Sequence, residues 1–209
     1  MVSFSFRGSS FACSGVAIAA ALLLAGCQTG PPVVVNSTLV ATDAFSARSP
    51  KNVAVLPVED GTADGAAQRH LVFLRQEVMR QMVDRLFAPL SPNVVDAGLR
   101  GVAGGSAKES LLTPATLQRM SGHSNEDAVF ALRVDRWDES NLVTAHKVWF
   151  QFQAVLVGVD QVQLWSGTIQ GEVKAGGAGA APRDRDGMAR SCGTLAVQEM
   201  MSRLPKRTQ

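Results

Sequence analysis

Cys27 is the residue whose type and position point most directly to a chemical modification. It ends an apolar stretch that begins near Gly15, after a start whose only charged residue is Arg7. A cationic start, an apolar core of roughly 7–15 residues and small residues at the cut are typical of a secretory signal. The uninterrupted apolar run is shorter than the ~20 residues of a membrane-spanning helix. The sequence therefore predicts export, with a signal over residues 1–26 that is removed before Cys27.

The run from Leu22 to Cys27 resembles the lipobox of bacterial lipoproteins. The resemblance implies that the Cys27 sulfur receives a diacylglycerol, that the chain is cut before it and that the freed amine is acylated. Gln28 follows, where enteric lipoproteins retained in the inner membrane carry aspartate. Two or more acyl chains hold a protein firmly at a bilayer, so we expect a lipid anchor. Because that aspartate is absent, we expect the anchor to lie in the outer membrane, with the protein facing the periplasm.

Motifs for other chemistry are lacking in the sequence. It contains no Gly-x-Ser-x-Gly elbow, no His-Glu-x-x-His, no lysine-type phosphate loop and no Cys-x-x-Cys. The three histidines are scattered without ligand spacing, and Cys192 is the one thiol left after processing. Its neighbours favour the small face of a helix, with a reactive or intermolecular thiol as the alternative. We expect no enzyme activity, no cofactor and no metal.

Acidic residues cluster near two predicted strand ends: Glu126 with Asp127, and Asp135 with Asp138 and Glu139. A general acid/base pair needs carboxylates held together with separated pKa values, and exposed strand-end turns explain such clusters more simply. A hydrolase acting on the cell wall or an envelope polymer stays as the alternative function.

Composition and pattern predict one folded domain behind a tether. The formal charge is +2, of which Arg7 supplies one, so the chain lacks the basic character expected for nucleic-acid binding. We predict a lipidated, flexible tether over 27–50, a domain over 51–205 and a flexible Gly/Ala-rich loop over 175–187. Strands are predicted over 52–58, 93–96, 127–137, 142–159 and 162–174, and helices over 65–87, 113–122 and 188–204.

These elements predict an α/β (α+β) fold, with a mostly antiparallel four- to five-stranded sheet and helices packed on it. Alternation in the central strands places Arg133, Trp137, Lys147 and Trp149 on the face opposite the core. A polar face is ordinary for a sheet with one wet side. Tryptophan and arginine are also enriched where proteins meet, so these four residues form a possible partner or self-association surface.

Three stretches resemble a group of outer-membrane lipoproteins with an anticodon-binding-like α/β domain: Val53 to Asp60, Asp127 to Trp137, and Leu164-Trp165-Ser166-Gly167. The group includes the neisserial surface lipoprotein, the activator of penicillin-binding proteins, and subunits of curli and exopolysaccharide export rings. Asn125-Glu126 replaces the group's usual glycine before the second stretch.

The resemblance implies a non-enzymatic accessory protein for envelope assembly or export, which holds a protein or polysaccharide partner near the membrane. Some members assemble into rings, so a homo-oligomer is a further expectation. Only the lipidated cysteine, Cys27, can be carried over as a functional residue.

Overall fold

A single mixed sheet organises the part of the chain that the computed structural model describes, which is residues 33–100, 110–176 and 184–208. Its strands are β1 (Val33–Ser37), β2 (Val40–Ala41), β3 (Asn52–Val55), β4 (Glu59–Asp60), β5 (Ala88–Pro89), β6 (Ala128–Asp138), β7 (Lys147–Gly158) and β8 (Gln163–Lys174). The helices are α1 (Asp43–Arg48), α2 (Leu71–Asp84), α3 (Pro92–Arg100), α4 (Pro114–Met120), α5 (Leu142–Ala145) and α6 (Arg185–Ser202).

The strand order is β1-β8-β7-β6-β3-β5, with β2 also on β8 and β4 also on β6. The three long strands β6, β7 and β8 form an antiparallel meander at the strands predicted over 127–137, 142–159 and 162–174, except that residues 142–145 form α5. In contrast, β3 pairs in parallel with both β6 and β5. The expected four- to five-stranded, mostly antiparallel sheet is therefore wrong in strand number and in strand direction. Strands β2, β4 and β5 have two residues each, too few to show the alternation that identifies a strand.

One face of the sheet carries the main core beneath α2 and α6. The helix predicted over 65–87 is confirmed as α2, on which Leu74, Val78 and Met82 recur every four residues and are fully buried. It ends at Asp84, and Leu86 beyond it is 44% exposed. Helix α6 crosses α2 closely at Gly193, where an added Cβ would lie 2.9 Å from the Phe73 ring. A glycine at this position thus permits the contact of the two helices.

Helices α3 and α4 cover part of the opposite face, over a smaller apolar cluster that includes Val95 and Leu117. The predicted strand at 93–96 is wrong, because Pro92 occupies the first position of α3, where its fixed φ suits a helix. The predicted start of α4 is confirmed, since the Thr113 hydroxyl accepts the Thr116 backbone N–H at 3.2 Å.

A buried arginine joins α2, α3 and the sheet. The Arg75 guanidinium donates to the Val55 carbonyl at 2.7 and 3.0 Å and to both oxygens of the Asp96 carboxylate at 2.8 and 3.0 Å. Such forked pairing satisfies several donors at once, as a buried charge requires. It fixes α3 over the end of β3.

The segment predicted as a tether, 27–50, contains regular structure in its described part. From Val33 onward the segment forms β1, β2 and α1, and the Phe45 side chain is buried in the main core. Pairing with β1 and β2 covers an edge of β8 that would otherwise expose unpaired backbone groups. Of the predicted loop at 175–187, residues 177–183 lie outside the described residues. Its last part begins α6, which Asp184 caps by accepting the Gly187 N–H at 2.6 Å.

None of the described helices combines the length and the hydropathy needed to cross a bilayer. The signal segment and Cys27 lie outside the described residues.

Candidate interaction surface

A bulge in β6 decides which side chains of that strand face solvent. The pairing of β6 with β7 shifts between Val134 and Arg136, so that Asp135 is an extra residue. An extra residue reverses the inward and outward alternation beyond it. Trp137 therefore lies on the core face, 3% exposed, with its ring stacked parallel to that of Phe152. The prediction that Trp137 belongs to a partner surface is wrong for this reason.

The other three predicted residues, Arg133, Lys147 and Trp149, lie on the second face of the sheet, away from α2 and α6. Trp149 is half-buried, and the Arg136 guanidinium carbon lies 5.5 Å from the centroid of its ring. Lys147 forms an ion pair with Glu172 at 2.6 Å.

We use the term open face for the part of this second face that none of the described helices covers. Its members are Arg133, Arg136, Lys147, Trp149, Gln151, Gln153, Thr168, Gln170 and Glu172. Its centre is uncharged, because Gln151 pairs across the strands with Gln170, and Gln153 with Thr168. Charged residues and the indole of Trp149 border this polar centre.

Acidic residues surround Arg133 at one border of the open face. Its guanidinium lies 2.8 Å from the Asp135 carboxylate and 3.6 Å from that of Glu59. Burial raises the pKa of Asp135, and the opposing charge of Arg133 only partly offsets this. Glu59 is held by the Ser110 hydroxyl and the Leu111 N–H. Arg133 thus forms ion pairs with two carboxylates at once, and the group holds one acidic side chain more than it holds basic ones.

A cleft of about 680 Å³ lies beside the open face, between the end of β6 and the start of α6. At its base the Glu139 side chain is only 7% exposed. Its carboxylate accepts from His70 at 2.7 Å, from the Trp137 indole at 2.9 Å and from Arg185 at 3.1 Å, and it also contacts the Arg69 guanidinium.

This network makes Glu139 a structural anchor. Burial would raise its pKa, but hydrogen bonds from Trp137, His70 and Arg185 and the charge of Arg69 together hold the pKa of Glu139 below its ordinary value. A carboxylate so fully engaged has no free lone pair with which to accept a substrate proton. Its donors instead tie the end of β6 to the turn before α2 and to the start of α6.

Sequence reasoning placed Glu139 among exposed strand-end acids and did not identify this network. The donors Arg69 and His70 lie about 70 residues upstream, and Arg185 lies 46 residues downstream. No local spacing could have joined them. Among the described residues no group of histidine, cysteine or acidic side chains could hold a metal ion.

Cys192 packs inside the core, as its small neighbours indicated. Its side chain is fully buried, with the sulfur 3.7 Å from the Val173 carbonyl oxygen. Burial raises the pKa of the Cys192 thiol to about 11. Because the thiolate is the reactive form, the native fold suppresses thiol chemistry at this position.

No family model and no curated protein matches the sequence. Among solved structures, the chain is similar to the PelC dodecamer from Paraburkholderia phytofirmans, with 13% identity over 83% of this chain and 100% of that one and a TM-score of 0.46. It is also similar to the lipoprotein GNA1162 from Neisseria meningitidis, with 17% identity over 73% and 97% of the two chains and a TM-score of 0.45.

A third similar structure is the C-terminal domain of LpoB from Salmonella enterica, with 18% identity over 59% of this chain and 82% of that one and a TM-score of 0.39. These neighbours match the group named from the sequence motifs. At these identities the likeness concerns the arrangement of the chain and assigns it no function.

Replacing Glu139 with Gln should lower the free energy of unfolding by about 2–3 kcal/mol, because the Arg69 and Arg185 guanidiniums lose their shared anion. Urea denaturation at neutral pH, on the chain produced from residue 28, measures the change. The control is Asp138→Asn, which removes a partly exposed ion pair with Arg136 and should cost less than about 1 kcal/mol.

Comparison of wild type with Glu139→Gln also tests the pKa of Glu139. A carboxyl whose pKa is lowered by folding stabilises the folded state at pH values above its pKa in the unfolded chain. That contribution is lost as the pH falls through the lowered pKa. The stability difference between wild type and Glu139→Gln should therefore shrink on acidification. A difference that stays constant down to strongly acidic pH would contradict the proposed network.

Cys192 should react with a thiol reagent at pH 8 only as fast as the protein unfolds, since the thiol is buried and protonated. The matched control is Ser202→Cys, an exposed position on the same helix, which should react at once. Labelling followed by mass spectrometry distinguishes the two positions. Rapid labelling of Cys192 in the folded chain would instead support a reactive thiol.

Proposed function

We propose that this chain is a lipid-anchored accessory protein of the cell envelope, held at the periplasmic side of the outer membrane through Cys27. It acts by binding a partner through the open face and not by catalysis. The observation that carries this proposal is the part of the second face that none of the described helices covers, which combines an uncharged polar centre with the Trp149 and Arg136 pair at its border.

The composition of the open face suits a protein or polymer partner. Tryptophan and arginine supply large contact areas and are enriched at binding hot spots. Gln151, Gln153, Thr168 and Gln170 present hydrogen-bond donors and acceptors without charge. This centre can therefore be desolvated at lower cost than a surface that carries many ions.

The hydrolase alternative would use the cleft beside Glu139, where several polar side chains converge. Its acids are engaged, however: Glu139 by four donors, Asp135 by Arg133, and Asp138 by Arg136. General acid/base catalysis needs a group free to exchange a proton with substrate. The cleft thus favours a structural network over a catalytic pair, and turnover of an envelope polymer that is lost in Asp135→Asn would reverse this conclusion.

A photo-crosslinking amino acid placed at Gln153 should form an adduct in living cells, because this exposed side chain lies at the centre of the open face. Gln76 provides the control, as an exposed glutamine on α2, on the other side of the sheet. Immunoblotting of envelope fractions measures the adducts. An adduct of twice the mass of the chain identifies a second copy as the partner, and equal labelling from both positions would contradict the proposed surface.

Cys27→Ala should abolish acylation and release the protein from the membrane, because the sulfur that would carry the diacylglycerol is absent. Fractionation of cells, with mass spectrometry of the wild-type N-terminal peptide, measures both effects. Cys192→Ala removes the buried thiol and should leave the distribution unchanged. A wild-type peptide without fatty acid would contradict the proposed anchor.

A further inference from the structure

The start of β1 and the indole of Trp149 lie in one row across the sheet. Val33 is paired with Glu172 of β8, and Glu172 is paired in turn with Trp149 of β7. Neighbouring strands are about 4.8 Å apart, so the backbone positions of Val33 and Trp149 are separated by roughly 10 Å. The chain therefore enters the fold at the same end of the sheet that carries Trp149.

The connection from the lipid to this end is short. Val33 lies six positions after Cys27, and six residues reach at most about 20 Å when fully extended. The opposite end of β7, at Gly158, is nine residues beyond Trp149 and thus about 30 Å further along the strand. With the strands upright on the membrane, an anchor of this reach brings the Trp149 end to the bilayer and leaves the Gly158 end away from it.

The side chains at the Trp149 end fit the headgroup layer of a membrane. The indole is half-exposed beneath the Arg136 guanidinium, and two lysines, Lys147 and exposed Lys174, stand opposite each other on β7 and β8. Tryptophan, lysine and arginine are the side chains that collect at membrane interfaces, where an apolar body meets a polar boundary.

The charge at this end is close to balanced. Glu172 pairs with Lys147 at 2.6 Å, and Asp138 pairs with Arg136 at 3.1 Å. Attraction to anionic lipid alone would need clustered basic residues, which these acidic partners offset. Contact should therefore depend on the indole and on the length of the tether more than on the lipid charge.

We propose that the Trp149 end of the open face rests on the headgroup layer of the membrane that holds the lipid anchor. The proposal rests on acylation of Cys27. It narrows the partner surface of the proposed function: Trp149, Lys147 and Lys174 contact lipid instead, and the region around Arg133 and Gln153 is left for the partner.

Fluorescence quenching tests the contact directly. The lipidated full chain is reconstituted into phosphatidylcholine vesicles that carry a nitroxide on the headgroup. Trp137 and Trp165 are buried, so quenching should come mainly from Trp149 and should largely disappear in Trp149→Phe. The matched control combines Trp149→Phe with Val159→Trp, which moves the indole to an exposed position, 44% exposed, at the far end of β7.

The expected result is several-fold stronger quenching for wild type than for the chain with the indole at 159. A flexible insertion of twelve Gly and Ser residues between Gln28 and Val33 should weaken quenching of Trp149, because the longer tether relaxes the constraint. Equal quenching at both indole positions, or no quenching at Trp149, would overturn the proposal.

Flotation of the same vesicles separates two kinds of failure. A chain that does not float with lipid lacks the anchor, and the proposed function then fails together with this inference. A chain that floats while Trp149 stays unquenched keeps its anchor, so only the membrane contact is wrong. If Trp149 is unquenched because another protein molecule on the floated vesicles covers it, that end of the open face binds a protein. The proposed membrane contact is then wrong as well.

Discussion

The register of β6 against β7 is the constraint on which the exposed surface depends. Ten residue pairs hold the two strands together, and one extra residue at Asp135 changes the inward and outward pattern part-way along β6. Before the bulge, Arg133 faces outward; after it, Trp137 faces the core and Arg136 takes the outward position beside Trp149. The bulge thus buries Trp137 and places the Arg136 guanidinium beside Trp149 on the surface.

Trp137, which the bulge places on the core face, also holds the Glu139 network in place. Its indole N–H donates to the carboxylate, while its ring packs 5.2 Å from that of His70 and 6.3 Å from that of Phe152. A single side chain therefore links the aromatic core to a buried, charge-paired anchor. Buried charges need such complete pairing, which explains why the polar groups of the cleft are committed to one another.

Much of the fold could be predicted from local pattern. The long strands β6 to β8 show alternation, α2 shows an apolar stripe, and α4 has a capping threonine before proline. What pattern could not supply is contact between distant segments: the parallel pairing of β3, the two-residue strands, and the donors of Glu139. The bulge was missed because a strict period of two carries no information about an inserted residue. Of the four predicted surface residues, only Trp137 lies on the other face for that reason.

The antiparallel pairing of β1 with β8 has a mechanical consequence. If the anchor is pulled while a partner grips the central strands, tension enters at Val33 and runs along β1. Ladder hydrogen bonds in an antiparallel pair are perpendicular to the strands, so tension in that direction strains them together in shear and does not open them one at a time. The five residues of β1 and the two of β2, strands that both pair with β8, would therefore resist being pulled off the sheet when force acts on the anchor.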